Sequence, residues 1–222
     1  GFSTRSESIA AFDSAALEWV AIVFMFLSAV SFLLMLRVIR GQFHELRRSM
    51  ELSAFVSILL LATSGVMIFV LLSGMVDGLH DLVRGCLFQV MSISTTTGFV
   101  SENYVLWPYG AQVILVTLMF AGGCSGSTAG GIKIIRIVVA ARVVLNQLER
   151  AIRPNVMRPI RISGRNLGQE ARDDILVFIA LTFLLFGVAA LLLGVFEPGL
   201  DLASLFSAVK ACLFNIGPGV GA

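Results

Sequence analysis

Residues 94–99, Ser94-Thr95-Thr96-Thr97-Gly98-Phe99, interrupt a strongly apolar part of the chain. In hydrocarbon an unbroken helix is the least costly structure, because every backbone N–H or C=O left unpaired costs several kcal/mol. Irregular polar backbone persists at membrane depth only inside protein or along a water-filled path. Carbonyl and hydroxyl oxygens that face such a path can replace the hydration shell of a cation.

The composition places the chain in a lipid bilayer. Of its 222 residues, 57% are hydrophobic and 14% are charged, and the mean hydropathy is +0.93, far from soluble proteins. A membrane span needs about 20 apolar residues. Four uncharged stretches approach or exceed that length, namely 19–36, 52–76, 105–132 and 175–196.

Two shorter apolar runs, 82–94 and 202–216, are too short to cross and are predicted to be re-entrant half-helices. The alternative is an amphipathic helix on the membrane surface, but neither run has the basic polar face of such helices. The first residue, Gly1, suggests a fragment, and the polar start 1–8 does not resemble a cleaved signal peptide.

The basic residues predict the orientation, because short loops rich in Lys and Arg stay in the cytoplasm. Four arginines follow the first span and nine basic residues lie between the third and fourth, whereas the other connections carry acidic residues. The first group is Arg37, Arg40, Arg47 and Arg48; the second is Lys133, Arg136, Arg142, Arg150, Arg153, Arg158, Arg161, Arg165 and Arg172; the acidic set is Asp77, Asp81, Glu102, Glu197 and Asp201. These charges suit a lipid-facing linker or a surface for a cytosolic partner, and they indicate no nucleic acid.

The chain divides into units of one plan: span, half-helix, polar break, second span. Residues 52–150 hold one complete unit, and residues 173–222 begin another that stops at the break 215–219. Residues 1–48 resemble the end of an earlier unit, because Gly1-Phe2 matches Gly98-Phe99, and 151–172 form a basic linker. The predicted fold is therefore an all-α membrane protein of repeated units.

The break at 94–99 is predicted to favour a cation. A half-helix that ends near the bilayer centre presents roughly half a negative charge there. Thr95, Thr96 and Thr97 supply oxygens, and Gly98 permits backbone angles that a β-branched residue resists. The plain alternative is that a Thr-Gly cluster merely ends a helix.

The sequence resembles the membrane subunit of the Trk/Ktr/HKT superfamily of potassium transporters, most closely the bacterial Trk type. The run from Phe88-Gln89-Val90 to Ser94-Thr95-Thr96-Thr97-Gly98-Phe99 resembles its third pore helix and filter, and Leu213-Phe214-Asn215-Ile216-Gly217-Pro218-Gly219 resembles its fourth. Gly1-Phe2-Ser3-Thr4-Arg5 resembles the end of its second filter.

This resemblance implies potassium uptake across a bacterial inner membrane through four units around one pore, only one of which is complete here. It implies K⁺ as the transported ion, no cofactor in this chain, a homodimer of the full-length subunit, and a cytosolic ring-forming partner that binds NAD or adenine nucleotides. The implied filter residues are Thr95, Thr96, Thr97, Gly98, Phe99, Asn215, Ile216, Gly217 and Gly1.

The third long segment contains a glycine-rich loop sequence, residues 122–131. Its members are Gly122, Gly123, Cys124, Ser125, Gly126, Ser127, Thr128, Ala129, Gly130 and Gly131. Glycines four residues apart can form a small-residue stripe for helix packing, but many glycines beside Ser and Thr can also unwind a helix where a cavity supplies water. Spacing leaves both open, and the resemblance favours an intramembrane gate below the filter.

Lys133 and Arg136 directly follow that sequence. Their ordinary role is to extend toward cytoplasmic headgroups. The functional alternative is that Lys133 lies near the permeation axis, where its charge raises a barrier that loop movement relieves.

Two other classes of function fit the sequence less well. Gly123-Cys124-Ser125-Gly126 matches the pattern of rhomboid-type intramembrane serine proteases, but such a serine needs a nearby base, and His44 and His80 fall in loops on opposite sides. Secondary transporters also use broken helices, usually in inverted repeats, whereas these units run in the same sense. The cysteines lack the spacing of a zinc site and no phosphate-binding loop is present, so the sequence predicts a passive, gated cation pathway and no enzyme.

Overall fold

The computed structural model describes residues 7–75, 78–153, 161–162 and 165–219. This part of the chain is almost entirely helical, with two short 3-10 turns and one short β-ribbon. The helices are α1 (Ala15–Ala29), α2 (Phe32–Ile39), α3 (His44–Arg48), α4 (Met50–Ser73), α5 (Leu79–Ser94), α6 (Tyr109–Leu118), α7 (Ile134–Ile152), α8 (Gln169–Phe196) and α9 (Leu202–Leu213). The 3-10 turns are Ser8–Phe12 and Tyr104–Leu106, and β1 (Arg161–Ile162) pairs antiparallel with β2 (Arg165–Asn166).

Two helices in the described residues, α4 and α8, are each long and apolar enough to cross a bilayer. They contain 24 and 28 residues, with mean hydropathies of 2.6 and 2.9. The Ser49 hydroxyl caps α4 by accepting the N–H of Leu52, and Gly74, with φ of +65°, ends it. These spans and the helical content confirm the expected fold class, an all-α membrane protein.

The expected spans 19–36 and 105–132 are not continuous helices. The first bends by 102° between α1 and α2. In the second, α6 ends at Leu118, and the next helix, α7, begins only at Ile134. The two interruptions bond to each other: Cys124 N–H donates to Ala29 O at 2.9 Å, and Phe32 N–H donates to Gly126 O at 3.0 Å. The hydropathy of the sequence does not predict these backbone hydrogen bonds, because they join segments that are far apart in the chain.

The half-helices α5 and α9 both precede a polar break. In α5 every residue from 88 to 94 is buried, so this helix lies inside protein and the surface-helix alternative is wrong for it. Helix α5 packs between α1 and α4 and also contacts α6, while α9 packs on α8. The chain therefore leaves helical geometry inside the fold at two places.

The core forms where α4 contacts α5 and α6. Its fully buried side chains include Phe55 and Val66 of α4, Phe88 of α5 and Leu115 of α6. Gly65 lies at the α4–α6 contact, where an added Cβ would come within 2.8 Å of Ile114 Cδ1. The close approach of these two helices holds α6 against the half-helix that precedes the first break.

We expect Gly65→Leu to destabilise the full-length protein by about 1–3 kcal/mol, because overpacking forces neighbouring side chains out of their preferred rotamers. The measurement is the melting temperature of the purified protein in detergent. Gly187→Leu in α8 is the matched control, because a Cβ there meets nothing within 4 Å. Equal melting temperatures for the two variants would contradict the assigned contact.

Candidate functional site

The first break, residues 95–99, turns its N–H groups back onto α5. Thr96 and Gly98 adopt positive φ angles of 55° and 75°, two residues apart. The donated bonds are Thr95 N to Met91 O (2.9 Å), Thr96 N to Ile93 O (3.1 Å), and Thr97 N and Gly98 N to Ser92 O (3.0 and 3.3 Å). The carbonyl oxygens of Thr95, Thr96 and Gly98 accept no hydrogen bond from the residues that the structure describes, so they remain available to a ligand.

The second break, residues 214–219, repeats this geometry. Asn215 and Gly217 adopt positive φ angles of 56° and 106°, again two residues apart. The bonds to the end of α9 are Phe214 N to Lys210 O (3.0 Å), Asn215 N to Cys212 O (3.2 Å) and Ile216 N to Ala211 O (2.9 Å). The predicted filter residues 95–99 and 215–217 thus share one local conformation, whereas Gly1 lies outside the described residues.

Polar side chains that sequence reasoning did not single out hold the first break in place. Ser92 Oγ donates to Phe99 O at 2.6 Å, and Gln89 Nε2 donates to Glu102 O at 3.0 Å. Both side chains are completely buried. The sequence feature that could have identified them is their polar character within an otherwise apolar half-helix.

The outer ends of the two breaks are joined. Tyr104 Oη donates to Gly219 O at 3.0 Å, which links the connection after the first break to the second break. A cavity of about 560 Å³ lies beside this bond, lined by the connection that follows the first break, by Pro218 and Gly219 of the second break, and by the acidic side chains Glu7 and Glu102. Two carboxylates therefore line a cavity next to the second break.

Glu102 differs from the other outer acidic residues in its surroundings. Burial raises the pKa of its carboxyl group, and the neighbouring Glu18 and Asp81 raise it further, whereas Arg84 lowers it. Arg84 is itself held by Glu18 at 2.8 Å and by Asp81 at 2.9 Å. Glu102 consequently takes up a proton at a higher pH than an ordinary glutamate.

The glycine-rich loop, residues 122–131, lies against both breaks. Gly130 N–H donates to Thr96 Oγ1 at 2.6 Å, and a Cβ on Gly130 would collide with the carbonyl oxygen of Phe214. The chain folds back on itself, because Gly122 N donates to Ile132 O at 2.9 Å. The glycines therefore do not form a stripe on a helix face, and the packing interpretation is wrong for this segment.

Lys133 folds back onto this loop instead of extending toward headgroups. Its ammonium group donates to Ala129 O and lies 3.3 Å from Ser127 O. Arg136, in the first turn of α7, instead stacks its guanidinium 3.7 Å from the ring centroid of Phe178 in α8. The lysine charge is thus held inside the loop by carbonyl oxygens.

Lys210 in α9 is a second inner cation, which sequence reasoning missed. Its side chain is only 9% exposed, and Nζ lies 4.6 Å from the ring centroid of Phe120. It stands alone as a charged residue in the apolar run 202–216, and that is the signal that could have identified it. It lies behind the second break, whose first N–H bonds to its carbonyl oxygen.

The residues required for other chemistry do not come together. His44 and His80 are exposed side chains whose ion-pair contacts are with Glu45 and Asp81 respectively. The N–H of Ser125 donates to a carboxylate oxygen of Glu51. In the part of the chain that the structure describes, no group of three His, Cys, Asp or Glu side chains suits a metal ion, and Cys86, Cys124 and Cys212 are free thiols.

Comparison with known proteins identifies similar chains. The model of a family described as "TrkH: Cation transport protein" matches residues 1–222. The Trk system potassium uptake protein TrkH of Vibrio parahaemolyticus is 35% identical over 224 residues, which cover 100% of this chain and 46% of the relative. The protein of that name in Escherichia coli K12 is 30% identical over 229 residues, with coverages of 100% and 46%.

A solved structure shows the same fold. The crystal structure of the potassium transporter TrkH from Vibrio parahaemolyticus matches with a TM-score of 0.92 and 35% identity, covering 100% of this chain and 47% of that chain. The chain spans about half the length of the curated relatives it matches.

Proposed function

Because the chain belongs to the TrkH family of cation transport proteins, we propose that it forms part of a protein that takes up K⁺ through a carbonyl-lined filter. Family membership confirms the resemblance seen in the sequence and the assignment to transport proteins in a membrane, not to enzymes. The relatives named above are potassium uptake proteins. Potassium transport by the protein that contains this chain rests on that similarity.

The observation that carries the filter proposal is the shared geometry of the two breaks. In each, the N–H groups bond back to a half-helix and positive φ angles recur two residues apart. The carbonyl oxygens left over can replace water around a dehydrated cation. Each half-helix also ends at its break, where the helix dipole favours positive charge.

Each half-helix follows an acidic connection and precedes a polar break in the sequence. We infer that both enter the membrane in the same direction, which supports parallel repeats around an axis along the membrane normal. We therefore propose the division expected from the sequence: an earlier unit ending in 1–48, a complete unit in 52–150, a linker in 151–172 and a further unit from 173. Inverted repeats, which many secondary transporters use, are disfavoured by this common direction. Four units around one pore require segments beyond this chain.

The glycine-rich loop is proposed as the gate of this pore. It contacts Thr96 of the first break and Phe214 of the second, so it lies across the inner end of both. Lys133 adds a fixed positive charge among the loop carbonyls, which opposes the passage of K⁺. Movement of the loop would remove both the obstruction and the charge.

The proposed partners follow from the family and from the cytoplasmic charge. We propose a dimer of the full-length subunit in a bacterial cytoplasmic membrane, with a cytosolic ring that binds NAD or adenine nucleotides. The relatives are named as members of a Trk system. The basic residues of α7 and the following linker supply a surface for such a partner.

We expect Gly98→Ser in the full-length protein to reduce the preference for K⁺ over Na⁺ about tenfold. A side chain at φ of +75° costs roughly 1–2 kcal/mol and disturbs the carbonyls beside it. The measurement is the ratio of K⁺ to Na⁺ fluxes in proteoliposomes. Gly74→Ser is the matched control, because Gly74 has φ of +65° but stands in open space at the end of α4; unchanged selectivity in Gly98→Ser would refute the filter assignment.

Deletion of residues 126–130 tests the gate. We expect K⁺ flux in the full-length protein to rise several-fold, because the segment that lies across both breaks is removed. The flux is compared with wild type at equal amounts of folded protein, judged by size-exclusion chromatography. A folded deletion variant with wild-type flux would show that the loop is not a gate.

The raised pKa of Glu102 predicts a pH effect at the outer mouth. As the external pH falls from neutral, this carboxyl group becomes protonated earlier than an ordinary glutamate and its attraction for cations is lost. Uptake at sub-saturating K⁺ should therefore decline on acidification in wild type and be low and flatter with pH in Glu102→Gln. The exposed outer residue Glu197 supplies the control Glu197→Gln, and identical pH profiles for all three proteins would exclude Glu102 from this role.

A further inference from the structure

A carboxylate of α4 binds the glycine-rich loop. Glu51 lies in the first turn of α4, and its Oε1 accepts the N–H of Ser125 at 2.6 Å. The two residues are 74 positions apart in sequence. Hydrogen bonds to ionised acceptors are about twice as strong as neutral ones, so this bond contributes disproportionately to the position of the loop.

The other contacts of the loop with the α1–α2 bend are of a different kind. Backbone groups of Cys124, Gly126 and Thr128 pair with backbone groups of residues 28–32. Such pairs are needed wherever the loop lies in hydrocarbon. The Glu51 bond is made by a side chain that can rotate away, so it can be lost without breaking the pairing of the two backbones.

Glu51 is also accessible from the side on which the basic loops lie. A polar cavity of about 510 Å³ is lined by Glu51, by Ser31 at the α1–α2 bend, and by Arg37, Glu45 and Arg48. The Ser125 bond therefore connects this polar cavity to the loop. On its other side the same loop bonds to Thr96 of the first break.

We propose that Glu51 is a positioning residue of the gate: its carboxylate holds the glycine-rich loop across the pore, and loss of the Glu51–Ser125 bond favours the open loop. This inference rests on the proposed function of the loop. In this proposal the Glu51 side chain controls the position of the glycine-rich loop, which contacts both breaks.

The first test measures loop position without reference to transport. In the full-length protein in lipid nanodiscs, Glu51→Ala should speed hydrogen exchange of the amides in 123–131 about tenfold, since a hydrogen bond to a charged group is lost. Glu51→Gln, which keeps an uncharged acceptor oxygen, should give a smaller increase. Exchange elsewhere in α4 should stay at the wild-type rate, and unchanged exchange of the loop in Glu51→Ala overturns the proposal.

Glu45→Gln is the matched control. Glu45 lines the same cavity, but its carboxylate bonds to Arg37 at 2.9 Å and not to the loop. This variant removes the same charge from the cavity and should leave loop exchange at the wild-type rate. An equal increase in Glu45→Gln and Glu51→Ala would mean that cavity charge, and not the Ser125 bond, controls the loop, and would overturn the proposal.

The second test is K⁺ flux, measured for the same proteins beside the 126–130 deletion. Glu51→Ala should raise flux in the intact protein and add nothing when the loop is deleted. If the deletion raises flux but Glu51→Ala does not, the loop is a gate and Glu51 is not its positioning residue. If neither change raises flux, the gate itself is wrong, even where exchange shows that Glu51 holds the loop.

Discussion

The structure depends on the pairing of two interrupted helices. Where α1 ends, the backbone groups of residues 28–32 lose their helical partners, and the glycine-rich loop supplies new ones through Cys124, Gly126 and Thr128. Water is scarce at this depth, so each group left unpaired costs several kcal/mol. The bend and the loop therefore satisfy each other's backbone groups.

The same constraint determines the two breaks. Each half-helix ends inside protein, and the N–H groups that follow it turn back to satisfy its last carbonyls. In the first break this arrangement leaves the carbonyl oxygens of Thr95, Thr96 and Gly98 without a hydrogen bond from the described residues. A cation can be coordinated by such oxygens, with the helix dipoles acting in the same direction. The need to pair backbone groups thus accounts both for the conformation of the breaks and for the oxygens of the proposed ion site.

The elements are also mechanically connected. The loop bonds to Thr96 on the side of the first break and to Glu51 on the side of α4, and it pairs with the α1–α2 bend between them. A change at the cytoplasmic end of α4 can therefore reach the first break through a few hydrogen bonds. Lys133 follows this loop and folds back onto it, so the loop carbonyls stabilise its charge.

The sequence by itself determined the membrane environment, the all-α class, the half-helices and the two polar breaks, because these follow from composition and from the length of apolar runs. It missed the 102° bend at Val30–Ser31 and left the glycine sequence open between packing and unwinding. It also gave no role to Gln89, Ser92, Lys210 or Glu51 at these contacts. Those features were decided by the tertiary structure alone, because they arise from pairing between groups far apart in the chain, which hydropathy and spacing do not encode.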